Sequence, residues 1–342
     1  MIDYNKLNET YTNDGIYALQ LEIGDICYQG CSYCYMNAVP EEINKLSDDK
    51  IREILFDSTD LGITAIEWLG GEPLIRPSVF EHMELARNLG LRNNMWTGGL
   101  PFADPAILRR TAVLADPGLI SVHCSTVNPD IYKLLHPANP VEDMHTIINS
   151  VRNLLGLGYP AENILNSVTF TGLQPASDMI ETIDFFEREF GVMTSINVYH
   201  TYLRPGQSDS DLARFIPSEG DVARVHKRWK LQTGAREMPM NCVNKQYCSA
   251  TAAVLSNGSV TGCATIREPG APNVNRDGRL SEIVDRHRDH LIFKYFKNEE
   301  NLPEDCRQCS IASECWGCRS RAYAAGLGLY SKDPRCFKYN LK

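Results

Sequence analysis

The sequence predicts an α/β fold, a parallel sheet or barrel of six strand–helix units followed by a cysteine-rich C-terminal region. Three observations carry that expectation. Between residue 18 and about residue 201, short apolar strand-like runs alternate with longer stretches of helical period, which is the signature of a parallel sheet. One parity of those runs is repeatedly polar. Eleven of the twelve cysteines fall into two groups, one near the start of the chain and one at its end.

The candidate strands, in order, are Ala18 to Gly24, Ala65 to Leu69, Arg92 to Thr97, Leu119 to Ser125, Ile164 to Thr171 and Ser195 to Thr201. Helical segments centre on Ile51 to Ser58, Ser78 to Leu89, Pro105 to Leu114, Val141 to Leu155 and Ser177 to Phe190. Residues on one face of a strand recur every second position. The polar parity reads Gln20 and Glu22; Ser121, His123 and Ser125; Ser167, Thr169 and Thr171; Asn197, Tyr199 and Thr201. A barrel filled for structure alone would turn branched apolar residues inward, so a polar inner face points to a barrel that holds a ligand. Arg204-Pro205-Gly206 closes the sixth unit, and a polar helical stretch follows around Ser218 to Leu231. The expected division is an N-terminal segment (1–17), the strand–helix region (18–205), a bridging helical region (206–240) and a cysteine-rich unit (241–342). Within the last, Ala252 to Gly262 reads as a hairpin on an Asn257-Gly258 turn, where positive φ is needed. Beyond residue 300 aliphatic residues are sparse, so metal is expected to supply part of the stability.

Composition bounds the function. The chain has 342 residues, 43% apolar and 23% charged, and no apolar run approaches the ~20 residues of a membrane-spanning helix. Its start, Met-Ile-Asp-Tyr-Asn-Lys-Leu-Asn, lacks the order of a signal peptide, so a cytoplasmic protein with no membrane partner is expected. A net charge of -9 argues against a nucleic-acid partner, which calls for a basic excess. Twelve cysteines in such a chain make metal ligation the default, because the cytosol keeps thiols reduced.

Cys27-Tyr-Gln-Gly-Cys31-Ser-Tyr-Cys34 follows the first strand directly, at a strand C-terminal end where α/β ligand sites lie. Three cysteines hold three corners of a 4Fe-4S cube and leave the fourth iron open, whereas zinc clips normally offer four ligands. Gly70-Gly71-Glu72-Pro73 follows the second strand and Met95-Trp96-Thr97-Gly98-Gly99 ends the third. The C-terminal group reads Cys242-x5-Cys248-x14-Cys263, then Cys306-x2-Cys309-x5-Cys315-x2-Cys318-x17-Cys336. Eight ligands make two closed tetrads, although Cys306-x2-Cys309 and Cys315-x2-Cys318 alone also fit a zinc knuckle.

The C-x3-C-x2-C spacing resembles the defining motif of the radical S-adenosylmethionine (radical SAM) superfamily. The resemblance implies that the open iron binds the amino and carboxylate groups of S-adenosylmethionine. Reductive cleavage then yields methionine and a 5'-deoxyadenosyl radical that abstracts a substrate hydrogen. It places Tyr33 near adenine, Gly70, Gly71, Glu72 and Pro73 against the methionine amino group, and Ser125 near the ribose. Thr97 falls in the family's threonine-asparagine-glycine strand end, with Gly98 replacing asparagine.

The C-terminal spacing resembles the SPASM extension of that superfamily, and Cys242 to Cys263 that of anaerobic sulfatase-maturating enzymes. Cys315-x2-Cys318 is one residue shorter than the family's gap. The implied architecture is a partial (β/α)6 barrel with a C-terminal SPASM domain, carrying three 4Fe-4S clusters in all. Cys242, Cys248, Cys263 and Cys318 would hold an inner auxiliary cluster, and Cys306, Cys309, Cys315 and Cys336 an outer one. Closed tetrads suit electron transfer, with a reducing donor such as flavodoxin or ferredoxin.

His123, Glu67, Tyr199 and His200 stand near strand ends as candidate proton acceptors, and each also reads as a packing or substrate-orienting residue. Cys124 has the opposite parity and is expected to face the helices as an inert buried thiol; the alternative is a hydrogen-atom donor for an epimerase. The layout implies oxidative modification of a peptide or protein, by dehydrogenation or crosslinking. The alternative is two-electron oxidation of a small alcohol such as a sugar or aminocyclitol. It draws on the polar inner face and on the short N-terminal segment, which leaves no room for a leader-peptide recognition domain. A non-catalytic iron–sulfur carrier is the remaining reading, opposed by the three-cysteine motif and the Gly-Gly-Glu-Pro turn.

Overall fold

Six short runs with one apolar parity line up side by side because each buries that parity under a helix. In the computed structural model, which describes residues 2–200, 209–234, 240 and 243–338, the helix α1 (Tyr4–Thr12) precedes strands β1 (Ala18–Glu22), β2 (Ala65–Leu69), β3 (Arg92–Trp96), β4 (Ile120–Val122), β5 (Ile164–Phe170) and β6 (Met193–Val198). The six strands are adjacent in chain order and all parallel. The connections carry α2 (Asp48–Asp60), α3 (Val79–Asn88), α4 (Pro105–Ala115), α5 (Pro129–Leu135), α6 (Glu142–Gly156) and α7 (Ala176–Phe190). Leu19, Leu21, Ile66, Trp68, Met95, Ile120 and Val122 form one apolar cluster with Ile51, Ile54, Val79, Met83, Ile147 and Val151 of the helices. Burying each large aliphatic side chain contributes roughly 1.5–3 kcal/mol.

Helix starts follow capping chemistry. Ser47 Oγ accepts from Lys50 N at 3.2 Å, Asp104 from Ala106 N at 2.7 Å and Asn128 from Asp130 N at 2.9 Å, each satisfying an otherwise orphaned donor. Gly191, at φ 65°, ends α7, as a left-handed cap favours glycine.

The fourth strand is shorter than the run from Leu119 to Ser125 suggests, for a visible reason. Asn side chains take over the ladder at both ends. Leu119 N donates to Asn94 Oδ1 at 2.9 Å, while Cys124 N donates to Asn166 Oδ1 and Asn166 Nδ2 donates back to Cys124 O, at 2.9 and 3.1 Å.

The sheet does not stop at six strands. β7 (Thr251–Val254) pairs parallel with β1, Ala18 opposite Thr251, and β8 (Val260–Thr261) returns antiparallel to β7. The order is β6-β5-β4-β3-β2-β1-β7-β8. Gly258, at φ 89°, makes the turn between them. A single sheet therefore crosses the expected boundary near residue 240. Between the barrel strands and this hairpin lie α8 (Asp209–Ala213), α9 (Glu219–Trp229) and α10 (Lys245–Ser249). Trp229 Nε1 donates to Thr194 O at 2.9 Å, joining α9 to β6.

After the hairpin, α11 (Leu280–Leu291) inserts Leu280, Ile283 and Val284 into the main core, and the chain ends in α12 (Glu304–Arg307), α13 (Arg319–Ala324) and loops. Those last elements are tied by a buried ion pair, Arg321 Nη2 to Asp333 at 2.7 Å. Among the described residues no helix is long and apolar enough to cross a membrane.

Candidate active site

β1 carries the chain into the loop that holds Cys27, Cys31 and Cys34, and the turn after β2 is stitched to that loop through main-chain bonds. Gly71 N donates to Gly24 O and Glu72 N to Ile26 O, both at 2.8 Å. Gly70 sits at φ 141°, and a Cβ there would stand 2.6 Å from Gly24 O; a Cβ on Gly71 would collide with Ile26 O. Glycine is required because backbone meets backbone. The two motifs are thus one structural unit.

Pro73 opens a single 3-10 turn behind Glu72 and is buried. The Glu72 carboxylate accepts from Thr97 Oγ1 at 2.8 Å, Gly98 N at 2.7 Å and Leu74 N at 3.1 Å. Burial pushes its carboxyl up to about 7 against those donors. Gly98, where the family pattern has asparagine, leaves room for Gln29: a Cβ would lie 2.6 Å from Gln29 Oε1. The Gln29 amide donates to His123 O at 2.9 Å, tying the cysteine loop to the end of β4. Sequence reasoning passed over Gln29, whose only signal is its place between two motif cysteines.

A second network surrounds Tyr33. Its hydroxyl lies 2.7 Å from His123 Nε2 and 2.5 Å from Ser125 Oγ, and Ser125 Oγ is 3.0 Å from His136 Nε2. His123 Nδ1 bonds Ser167 O at 2.6 Å and His136 Nδ1 bonds Gln29 O at 3.0 Å. A carbonyl only accepts, so each Nδ1 carries the proton and each Nε2 is an acceptor for the hydroxyls. Burial pushes both imidazoles down, His136 to about 3. His136, stacked on Tyr132 at 4.5 Å, was not foreseen; nothing in its sequence surroundings marks it.

Gln29, Tyr33, Thr97, Gly98 and His123 line a cavity of about 280 Å3. Its wall includes Gln20, Ser121, His123, Ser167, Thr169, Asn197 and Tyr199, members of the polar strand parity. Thr201 lies outside the described residues. Glu22 does not face the cavity as an open carboxylate: it is fully buried, paired with Arg267 at 2.7 Å and bonded to Tyr35 at 3.2 Å and to Ser256 N at 3.0 Å. Among the described lining residues there is no aspartate or glutamate, while Lys245 and Arg319 are present.

The four candidate proton acceptors are not equivalent. His123 and Tyr199 line the cavity, Tyr199 packed 5.5 Å from Phe215. His200 also lines it, but its Nε2 is 3.5 Å from Cys318 Sγ, which sets it against a candidate metal ligand. Glu67 is buried under three donors, Asn94 Nδ2 at 2.8 Å, Tyr247 OH at 2.5 Å and Trp96 Nε1, and acts as a clamp joining β2, β3 and α10. Ser125 is fully buried and engaged by Tyr33 and the two histidines. Cys124 is buried in the helix-facing core, as its parity suggests, with its thiol pushed up to about 12 by burial.

The cysteines fit iron–sulfur chemistry by donor type and environment. Cys27, Cys31, Cys34, Cys248, Cys263, Cys315 and Cys318 all line the one cavity. Burial pushes Cys27 and Cys315 up to about 12 and Cys306 up to about 11. Such thiols become thiolates only when a cation replaces the proton. Charge interactions connect Cys306, Cys309, Cys315 and Cys336 with one another and Cys263 with Cys318. Cys242 lies outside the described residues.

Known proteins give independent bearings. The model of the radical SAM superfamily matches residues 21–186. A probable GTP 3',8-cyclase of Methanothermobacter thermautotrophicus is 24% identical over 287 residues, covering 78% of this chain and 92% of the relative. A GTP 3',8-cyclase of Streptomyces coelicolor is 29% identical, covering 72% and 76%. Among solved structures, SuiB of Streptococcus suis bound to S-adenosylmethionine superposes with a TM-score of 0.66 at 15% identity, covering 97% of this chain and 80% of that one. SuiB has also been solved with the precursor peptide SuiA. The protein anSMEcpe with bound AdoMet and the Cp18Cys peptide gives 0.65 at 16% identity, covering 94% and 93%. At these identities the structural likeness establishes the fold.

Proposed function

The chain belongs to the radical SAM superfamily, and on that premise we propose that it oxidatively modifies a peptide or protein, by dehydrogenation or crosslinking, with three 4Fe-4S clusters. The observation that carries the reading is the shared cavity: the Cys27–Cys34 loop and the C-terminal cysteines Cys248, Cys263 and Cys318 face one space. Cys27, Cys31 and Cys34 would hold the cluster whose open iron takes S-adenosylmethionine; Cys242, Cys248, Cys263 and Cys318 the inner auxiliary cluster; Cys306, Cys309, Cys315 and Cys336 the outer one. When bound, the first cluster and S-adenosylmethionine supply the hydrogen-abstracting radical, and closed clusters supply one-electron acceptors.

The chain's own residues do the rest. The Gly70-Gly71 turn fixes the cysteine loop, the Glu72 carboxylate is held beside it by Thr97, Gly98 and Leu74, and Tyr33 and His123, bonded to or beside the buried Ser125, form the wall toward β4. His123, Tyr199 and His200 are the proton-accepting candidates that reach the cavity, His200 against Cys318. A low-potential donor such as flavodoxin or ferredoxin would supply the electron. The peptide-bound states of SuiB and anSMEcpe support a peptide substrate.

A second reading is oxidation of a hydroxylated small molecule. It is favoured by the hydroxyl and amide side chains of the cavity wall, and the relatives named GTP 3',8-cyclase keep small substrates in view. Incubation of the anaerobically reconstituted enzyme with S-adenosylmethionine, dithionite and either serine- and cysteine-bearing peptides, polyols or GTP separates the readings. Substrate-dependent loss of two hydrogens from a peptide supports the first. Turnover of polyol or GTP with no peptide reacting overturns it.

A further inference from the structure

Arg319 directly follows Cys318 and is 1% exposed. Its guanidinium donates from Nη1 to Leu329 O and Ser331 O, both at 2.7 Å, and from Nη2 to Trp316 O at 2.6 Å. The group lies 4.6 Å over the ring of Phe296. Its Nε–H is buried with no hydrogen-bond partner in the described structure. Carbonyls and an aromatic face orient a guanidinium but do not neutralise it. Asp333 is within electrostatic reach, yet it is committed to Arg321, from Nη2 at 2.7 Å and Nε at 3.0 Å. Arginine does not shed its proton in proteins, and a buried cation without a counter-charge is strongly destabilising.

Besides Asp333, the groups within electrostatic reach of Arg319 include Cys318, Cys306 and Cys248, and Arg319 lines the same cavity as Cys248, Cys315 and Cys318. Gly317 makes the position possible: a Cβ there would stand 2.8 Å from Arg319 Nη2. We propose that Arg319 is the shared counter-charge of the two auxiliary clusters, a fixed cation beside ligands of both that raises both reduction potentials. The inference rests on the three-cluster reading above. Reduction adds negative charge to a cluster, and a cation held in a low-dielectric surround stabilises the reduced form. The unpartnered Nε–H would be available as a donor to such a cluster, and a hydrogen bond to a cluster sulfur acts in the same direction.

The test is an EPR-monitored redox titration, with iron analysis, of anaerobically reconstituted wild type, Arg319→Gln and Arg319→Lys. In the glutamine variant both auxiliary midpoints should fall by at least a tenfold change in the one-electron equilibrium, 59 mV, while the midpoint of the Cys27–Cys34 cluster stays put. Lysine should restore most of the shift. Loss of auxiliary iron from the glutamine variant with retention in the lysine variant supports the assignment equally, because charge is then needed to hold the clusters. Unchanged midpoints at full iron content overturn it, as does equal iron loss in both variants, which makes the role one of packing. Wild type that binds iron for one cluster only removes the three-cluster reading itself, and the counter-charge with it.

Discussion

Glu72 shows how one residue's surroundings set both its role and its pH dependence. It is 4% exposed, and its folded-state carboxyl is pushed up to about 7 from an ordinary value of 4.5. A raised carboxyl favours folding below its unfolded value, and that contribution is lost as pH climbs through the folded value. Between about pH 4.5 and 7 wild type should therefore lose stability relative to Glu72→Gln, by up to about 3 kcal/mol on the order of the full shift. Denaturant unfolding of both proteins at pH 5 and pH 8 measures the difference, and a gap that does not widen with pH contradicts the account. Gly71 is governed by space instead of charge. Gly71→Ala drives a methyl into Ile26 O and should cost about 1–3 kcal/mol or more, read as a lower melting temperature together with loosened iron at the adjacent loop.

At the scale of elements, the alternating pattern made the strand–helix units legible. Ala65 to Leu69 matches β2 residue for residue, and the five helical segments from Ile51 to Phe190 fall on α2, α3, α4, α6 and α7. The polar parity of Gln20, Ser121, His123, Ser167, Thr169 and Asn197 does face the cavity, because alternation along a strand is local information. Non-local contacts were not legible. The pairing of β7 with β1 joins residues more than two hundred positions apart, and Asn166 replaces ladder bonds at Cys124 through a side chain that no periodicity reports. His136, just after α5, bonds Ser125 on one side and the carbonyl of Gln29, 107 positions earlier, on the other.

The same separation of elements predicts a partial loss of metal. Cys27, Cys31 and Cys34 lie on one loop after β1, while the other candidate ligands lie beyond residue 240. Replacing all three with alanine should leave iron for about two clusters and abolish S-adenosylmethionine cleavage. Iron analysis and 5'-deoxyadenosine assays check it, and continued 5'-deoxyadenosine formation contradicts the assignment of that loop.

For the whole molecule, Cys248, Cys263, Cys315 and Cys318 share one cavity with Cys27, Cys31 and Cys34, a placement that bears on both the metal content and the end of the reaction. Reconstituted wild type should hold about twelve iron and twelve sulfide, and substantial zinc beside iron for one cluster would contradict it. If the inner auxiliary cluster accepts the electron left on the substrate after hydrogen abstraction, product should be oxidised by two electrons, with one 5'-deoxyadenosine formed per turnover. Cys248 lines the cavity together with Cys27, Cys31 and Cys34, but belongs to α10 and not to the first loop. Cys248→Ala should therefore depress product formation far more than S-adenosylmethionine cleavage, since it disturbs the later electron transfer and leaves the first cluster's loop intact. Hydrogen-atom return would behave otherwise: product and substrate would differ by one solvent deuterium, and a thiol would have to reach the substrate. Cys124 is fully buried and packed in the helix-facing core, so Cys124→Ala should leave turnover near wild type. Mass spectrometry of products formed in deuterated water by wild type and both variants decides between the two. A product lighter by two hydrogens, with cleavage uncoupled from product in Cys248→Ala alone, fits oxidation. Deuterium incorporation without oxidation, abolished by Cys124→Ala, would reject it.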